Sequence, residues 1–327
     1  MSRLMTLPAL LLISFIAVSV VPSVADDSIL EAGAKPVLVA EGAGEGPAWH
    51  PELGVLFSGH GGTGRMDRNG KVSMYRAKSG TNGLLFDRKG GLVCCEARAR
   101  RVTRVVGDTP VVLTDQFEGM KYNQPNDLTI DSKGRIYFSD PRYGDRKSME
   151  LKDADGKLVE GVYRIDPDGK VTRVITHEAD RPNGLLVTPD DKYLFVADNN
   201  NNEVGGARKL WRFDLQPDGS VKHGSRKLVF DWETGRGPDG MAIDTRGYLF
   251  VAGGLNKPHP PAETADKFKG GVYVFSPAGK LVLFIPIPRD EVTNCAFGDD
   301  DLKSLYITGG GTLWKVRVKT PGRVVWP

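Results

Sequence analysis

Cysteine is scarce in this 327-residue chain: Cys94, Cys95 and Cys295 are the three, and no C-x-x-C spacing occurs. That excludes a disulfide framework and a structural zinc site. Neighbouring residues of a strand point to opposite faces, so Cys94 and Cys95 do not pair with each other. A bridge from Cys295 to one of them stays open beside the plainer reading, three buried thiols. Histidine is almost as sparse. His50, His60, His177, His223 and His259 form no H-E-x-x-H or similar metal spacing. There is no P-loop and no paired-glycine dinucleotide fingerprint ahead of a helix. The G-H-G-G run at His60 has no G-x-S-x-G nucleophile elbow to serve, which excludes a serine hydrolase. Charge of one sign is not in excess: 44 Lys and Arg face 41 Asp and Glu, a net of +3. Without a basic stripe interleaved with aromatics, nucleic-acid binding is excluded as well. No long amphipathic helical pattern stands out.

Long apolar runs are missing too, with one exception at the start. Arg3 precedes an apolar run from Leu4 to Val21, and Ser23-Val24-Ala25 offers a small-residue cleavage site ahead of Asp26-Asp27. Residues 1–25 read as a secretory signal peptide, with a retained membrane anchor as the alternative. The expectation is an extracytoplasmic protein, periplasmic or secreted, free of the membrane once the segment is cleaved.

What the chain does have is a phrase written six times. The copies begin E-G-P-A-W-H-P at Glu45, N-G-L-L-F-D at Asn82, N-D-L-T-I-D at Asn126, N-G-L-L-V-T-P at Asn183, D-G-M-A-I-D at Asp239 and N-C-A-F-G-D at Asn294. Each continues through a polar or Gly-containing turn into a short apolar run such as L-F-V-A. The recurrence, every 37 to 57 residues, indicates a ring or stack of repeats. A second hairpin follows in the repeats, around turns such as D-P-D-G at Asp166, Q-P-D-G at Gln216 and S-P-A-G at Ser276. Two hairpins per repeat make a four-stranded antiparallel blade. The fold expected for residues 36–318 is a single all-β domain, a six-bladed β-propeller, with Pro36–Ala40 completing the last blade. Polar insertions at 140–158, 199–207 and 256–268 are candidates to frame a binding site.

Equivalent positions in a ring face the same way, so the six leading side chains should converge on one axis. All six carry a side-chain oxygen, the donor type that hard cations select. Glu45 and Asp239 are the two carboxylates among them, and Asn126 and Asn183 are the best candidates to join them. Two buried carboxylates repel each other and call for a cation or a proton. One divalent cation is expected there, Ca²⁺ first, with Zn²⁺, Mg²⁺ or Mn²⁺ as alternatives. Asp131 and Asp244 read as turn residues. Asp140 and Asp198 end strands beside insertions, where they could line the pocket or hold a second ion. His60, at the end of the strand from Val55, could reach the channel mouth.

The E-G-P-A-W at Glu45, Q-P-N-D at Gln124, R-P-N-G at Arg181 and G-P-D-G-M-A-I-D at Gly237 resemble the regucalcin/gluconolactonase family. The run T-N-C-A-F-G from Thr293, with L-Y-I-T after it, is similar to the end of bacterial sugar lactonases. The resemblance implies a propeller with a divalent metal in its central channel that hydrolyses aldonolactones such as glucono-1,5-lactone. It implies Glu45, Asn183 and Asp239 as metal ligands. Asp239 is also implied as the proton-transfer residue, and Asn126 as a contact to substrate or to water on the metal. Some members carry Arg where this chain has Gln124, and Arg142 is the candidate to replace that charge. The substrate-binding residues expected are thus Asn126, Gln124, Arg142 and His60. Chemically, the metal would polarise the lactone carbonyl while Asp239 takes a proton from water and returns it to the ring oxygen. Two alternatives stay open: a broader esterase or phosphotriesterase on the same metal, and a non-catalytic calcium- or carbohydrate-binding propeller.

Overall fold

The run Leu92–Glu96 shows how the repeats build the core. Leu92 and Cys94 face the blade before it, while Val93 and Cys95 face the blade after it. Side chains that alternate across a strand let one strand seal two interfaces. The structure, a computed structural model, describes residues 29–107 and 109–326. The expected signal segment 1–25 lies outside them.

Six four-stranded antiparallel sheets stand around a central channel. Their innermost strands are Glu45–His50, Leu84–Phe86, Leu128–Ile130, Pro182–Val187, Pro238–Ile243 and Val292–Gly298, one from each copy of the phrase. They open blades 1 to 6 in that order. The second hairpins form where the sequence put them. Gly169, Gly219 and Gly279 close the D-P-D-G, Q-P-D-G and S-P-A-G turns at φ 88°, 81° and 80°, a left-handed conformation that favours glycine. Val37–Glu41 pairs with Thr312–Arg317 as the outer strand of blade 6. The start of the chain thereby ties itself to the last blade, and the ring is closed by backbone hydrogen bonds. Between each pair of adjacent blades lies one buried apolar cluster, six in all, including the one between blades 6 and 1. Among the described residues no helix is long and apolar enough to cross a membrane.

Antiparallel order fixes which residues share an end of the channel. Each innermost strand starts at the end where the second strand of its blade finishes, so the leading residues and the insertions after the second strands lie together. The opposite end carries the first turns, and there the chain's last segment crosses. The Thr245 N–H donates to Pro321 (3.0 Å), Gly322 to Leu302 (2.8 Å) and Arg323 to Ile243 (2.8 Å). The Trp326 indole stacks on His50 at 4.6 Å. Above this strap the channel holds a cavity of about 140 Å³, lined by Pro47, Asp127, Met241, Asn294 and Val324 among others.

The three cysteines are free and buried. Cys94 and Cys95 face different clusters, and Cys295 belongs to a third, between blades 5 and 6. Burial pushes the Cys94 thiol up to about 12, and it raises Cys95 and Cys295 as well. Since the thiolate is the reactive form, the native protein should leave all three unmodified by an aromatic disulfide reagent at pH 8. The same reagent in denaturant should titrate three. A thiol that reacts in the native state would contradict this packing.

Candidate functional site

A glycine follows four of the six leading residues, and the structure shows why. A Cβ at Gly46 would lie 2.2 Å from the Asn82 carbonyl oxygen of the next blade, and one at Gly184 would lie 2.1 Å from the Asp239 carbonyl oxygen. Gly83 and Gly240 meet Asn126–Asp127 and Asn294 in the same way. The innermost strands thus touch backbone to leading residue, and this draws the six side chains toward one axis.

The leading residues divide by what their oxygens do. Asn294 is fully occupied: its Oδ1 accepts from the Cys295 N–H at 2.8 Å, and its Nδ2 donates to Glu45 Oε2 (3.3 Å) and Asp127 Oδ2 (3.5 Å). Asn82, Asn126, Asn183 and Asp239 each keep a buried Oδ1 with no hydrogen-bond partner. Unpartnered buried oxygens are costly, and these four lie at equivalent places in the ring, where one ligand could satisfy them together. Glu45 takes the Gly46 N–H at 3.0 Å on one oxygen only. Glu45, Asn126, Asn183 and Asp239 thus lie at the same end of the channel, with Asn82 beside them.

Asp127 is the addition that the repeat pattern obscured. In the third copy Asp stands where four others have Gly, and this places a third carboxylate in the channel. Burial pushes Glu45 well above the usual carboxylate range, and the charges of Asp239 and Asp127 push further. Burial takes Asp239 up to about 7 against the pull of Arg236, and Asp127 up to about 6. Arg236 is the second addition. It is 5% exposed, lies 3.6 Å from Asp239 Oδ2 and 2.9 Å from Glu291, and bridges to Glu263 at 3.5 Å. One guanidinium against this many carboxylates leaves the site short of positive charge. An all-oxygen donor set of that charge suits a hard divalent cation. His259, Glu263 and Glu291 form a second group with metal-ligand atoms within 4.8 Å of one another. That rim group shares Arg236 with the channel, at 3.5 Å from Glu263 and 2.9 Å from Glu291.

The remaining expected residues lie as follows. The Gln124 side chain accepts the Tyr143 N–H at 3.3 Å. The Arg142 guanidinium donates to the Asp145 carbonyl of its own loop at 2.8 Å. His60 is exposed, its ring against Gly42, and it makes no hydrogen bond to the four central residues. Asp140 and Asp198 brace backbone. Asp140 accepts the N–H groups of Asn123 and Gln124, both at 2.7 Å, and Asp198 accepts those of Asp180 and Arg181. Each holds the segment that leads into an innermost strand. The insertions do frame the site. Tyr143 of the first reaches Asn183 at 2.9 Å, Arg146 pairs with Glu203 of the second at 3.6 Å, and Arg208 donates to Ala262 of the third at 3.0 Å.

Residues 43–311 match the family described as SMP-30/Gluconolactonase/LRE-like region. The gluconolactonase of Zymomonas mobilis subsp. mobilis is 29% identical over 286 residues, which is 84% of this chain and 72% of that protein. The pentonolactonase XacC of Haloferax volcanii is 28% identical, covering 82% of this chain and 81% of its own length. A solved gluconolactonase from Xanthomonas campestris superposes with a TM-score of 0.73 at 29% identity, over 89% of this chain and 92% of that one. With the matched region reaching into all six blades, the chain belongs to the SMP-30/gluconolactonase/LRE-like family.

Proposed function

We propose that this chain is a metal-dependent lactonase that opens an aldonolactone, of the glucono-1,5-lactone kind, to the sugar acid. The observation that carries the reading is the set of unpartnered oxygens on Asn126, Asn183 and Asp239 beside the Glu45 carboxylate. The similarity to gluconolactonases and a pentonolactonase supports the substrate class. Glu45, Asn183 and Asp239 would hold the cation, most simply Ca²⁺, with Asn126 and Asn82 beside it. When bound, the cation supplies a Lewis acid for the lactone carbonyl. The chain supplies the rest. Asp239 Oδ1 takes a proton from the attacking water as its oxygen bonds to the carbonyl carbon. It returns a proton to the ring oxygen as the ester C–O bond breaks. Arg236, beside Oδ2, holds the Asp239 carboxyl in place and favours its charged form through each turnover. Segment 1–25 supports the further reading that the enzyme works outside the cytoplasm. N-terminal sequencing of the native protein should find Asp26 at or near its start, and an intact Met1 chain in the cytoplasm would refute export.

A panel of aldonolactones assayed with and without chelator tests the activity. Turnover that chelator abolishes and a divalent cation restores is expected; no turnover with any cation would favour a binding protein. The Asp239→Asn protein keeps an oxygen donor but loses the base, so kcat should fall by about 10²–10⁴-fold and saturating metal should not restore it. Glu45→Gln weakens the cation site without touching that base, so added metal should recover part of its activity.

The buried carboxylates also set a pH dependence. Their folded-state pKa values are raised, so their stabilising contribution is complete below the unfolded value, about 4. It is lost as pH rises through about 6 for Asp127 and about 7 for Asp239. A cation replaces those protons, so its stabilising effect should grow over the same window. Thermal unfolding with Ca²⁺ against chelator at pH 5, 6, 7 and 8 should show a Tm gain that increases with pH. A gain independent of pH would contradict a site made of these carboxylates.

A further inference from the structure

The polar insertion after Asp140 contributes one residue to the centre of the channel, Tyr143. We propose that Tyr143 is a positioning residue for Asn183: its hydroxyl fixes the Asn183 amide so that Oδ1, and not Nδ2, is presented to the cation. The inference rests on Asn183 being a ligand, as read above.

The hydrogen-bond chemistry leaves one arrangement. The Tyr143 hydroxyl lies 3.2 Å from the Asn199 carbonyl oxygen and 2.9 Å from Asn183 Nδ2. A carbonyl can only accept, so the phenolic proton is committed to Asn199. What the hydroxyl has left for Asn183 is a lone pair, and that must be met by an N–H. The amide is planar, with Nδ2 and Oδ1 on opposite sides of its carbon. Holding Nδ2 on Tyr143 therefore turns Oδ1 the other way, and that oxygen is buried with no partner of its own. An asparagine without such a clamp can rotate its amide by half a turn and present a donor to the cation, which would repel it.

The clamp is itself held from three sides. The Arg181 guanidinium lies over the Tyr143 ring at 5.4 Å. Arg181 is anchored in turn by Glu160, Nε to Oε2 at 2.8 Å, both groups buried. The Tyr143 N–H donates to Gln124 Oε1 at 3.3 Å, and the Arg142 N–H next to it donates to Glu160 at 2.7 Å. Gln124 and Tyr143 belong to blade 3, whereas Asn183 opens blade 4. One blade thus sets the ligand of the next. This gives Gln124 and the backbone of Arg142 a place in the site that does not require either side chain to touch the substrate.

Calcium titration calorimetry on chelator-stripped wild type, Tyr143→Phe, Asn183→Ala and the double variant tests the proposal. Residues that orient a ligand typically matter about 10–100-fold in metal affinity, and Tyr143→Phe should lose affinity on that scale. In chelator it should still unfold cooperatively, at a modestly lower temperature, because the ring keeps its contact with Arg181 while the two hydrogen bonds of the hydroxyl are lost. Since Tyr143 acts through Asn183, the double variant should bind no more weakly than Asn183→Ala alone. If Asn183→Ala binds weakly while Tyr143→Phe binds as wild type, or if the two losses add in full, the positioning role is overturned and the ligand reading survives. If Asn183→Ala binds as tightly as wild type, or the wild type takes up none of Ca²⁺, Mg²⁺, Mn²⁺ and Zn²⁺, both are overturned.

Discussion

The innermost strands of neighbouring blades approach until the backbone of one meets the leading residue of the next. At Gly46, Gly83, Gly184 and Gly240 a single added carbon would lie 2.2, 2.6, 2.1 and 1.9 Å from the adjoining blade, well inside ordinary contact distance. The glycines of the N-G and D-G pairs are therefore spacers around the channel. This approach makes the channel narrow, and much else follows from that. The leading side chains converge because their strands do. Most are buried because the strands crowd around them. Carboxylates that would be unremarkable on a surface become proton acceptors near neutral pH.

A ring so closed needs both its ends secured. Backbone pairing of Val37–Glu41 with Thr312–Arg317 joins the first and last parts of the chain across blade 6, so opening the ring means breaking a sheet. At the end away from the leading residues, the segment Pro321–Trp326 crosses the channel. Val324 packs with blades 5 and 6, Val325 with blades 2 and 3, and Trp326 with blades 1 and 2. Access to the site is thereby left to the end where the insertions lie.

Those insertions differ from the blades in how they are held. They bury few apolar side chains and rely on arginines instead: Arg181 on Glu160, Arg208 on the carbonyls of Gly206 and Ala262, Arg236 on Glu263 and Glu291. Buried guanidiniums offer several donors in one plane, which suits loops whose backbone groups have no sheet partner. The wall around the site is thus polar and held by buried ion pairs.

The sequence by itself determined the repeat, the blade count, the antiparallel hairpins, the closing strand and which residues lead the innermost strands. Periodicity carries that information: residues at equivalent places in a ring must occupy equivalent places in space. Glu45, Asn126, Asn183 and Asp239 could be picked out because they recur in register. Only the tertiary structure decided what lies outside the repeat. Asp127 stands where four other copies have glycine, and it faces the channel. Arg236 precedes its copy, and Tyr143 sits in one of the insertions, outside the repeated phrase. Their distances to Asp239 and Asn183 depend on how loops from three blades fold over one end of the ring. The split among the leading residues was likewise hidden. Asn294 and Asn183 are the same residue type in the same register, but one is spent on its neighbours and the other is not, and hydrogen-bond partners from other blades make that difference.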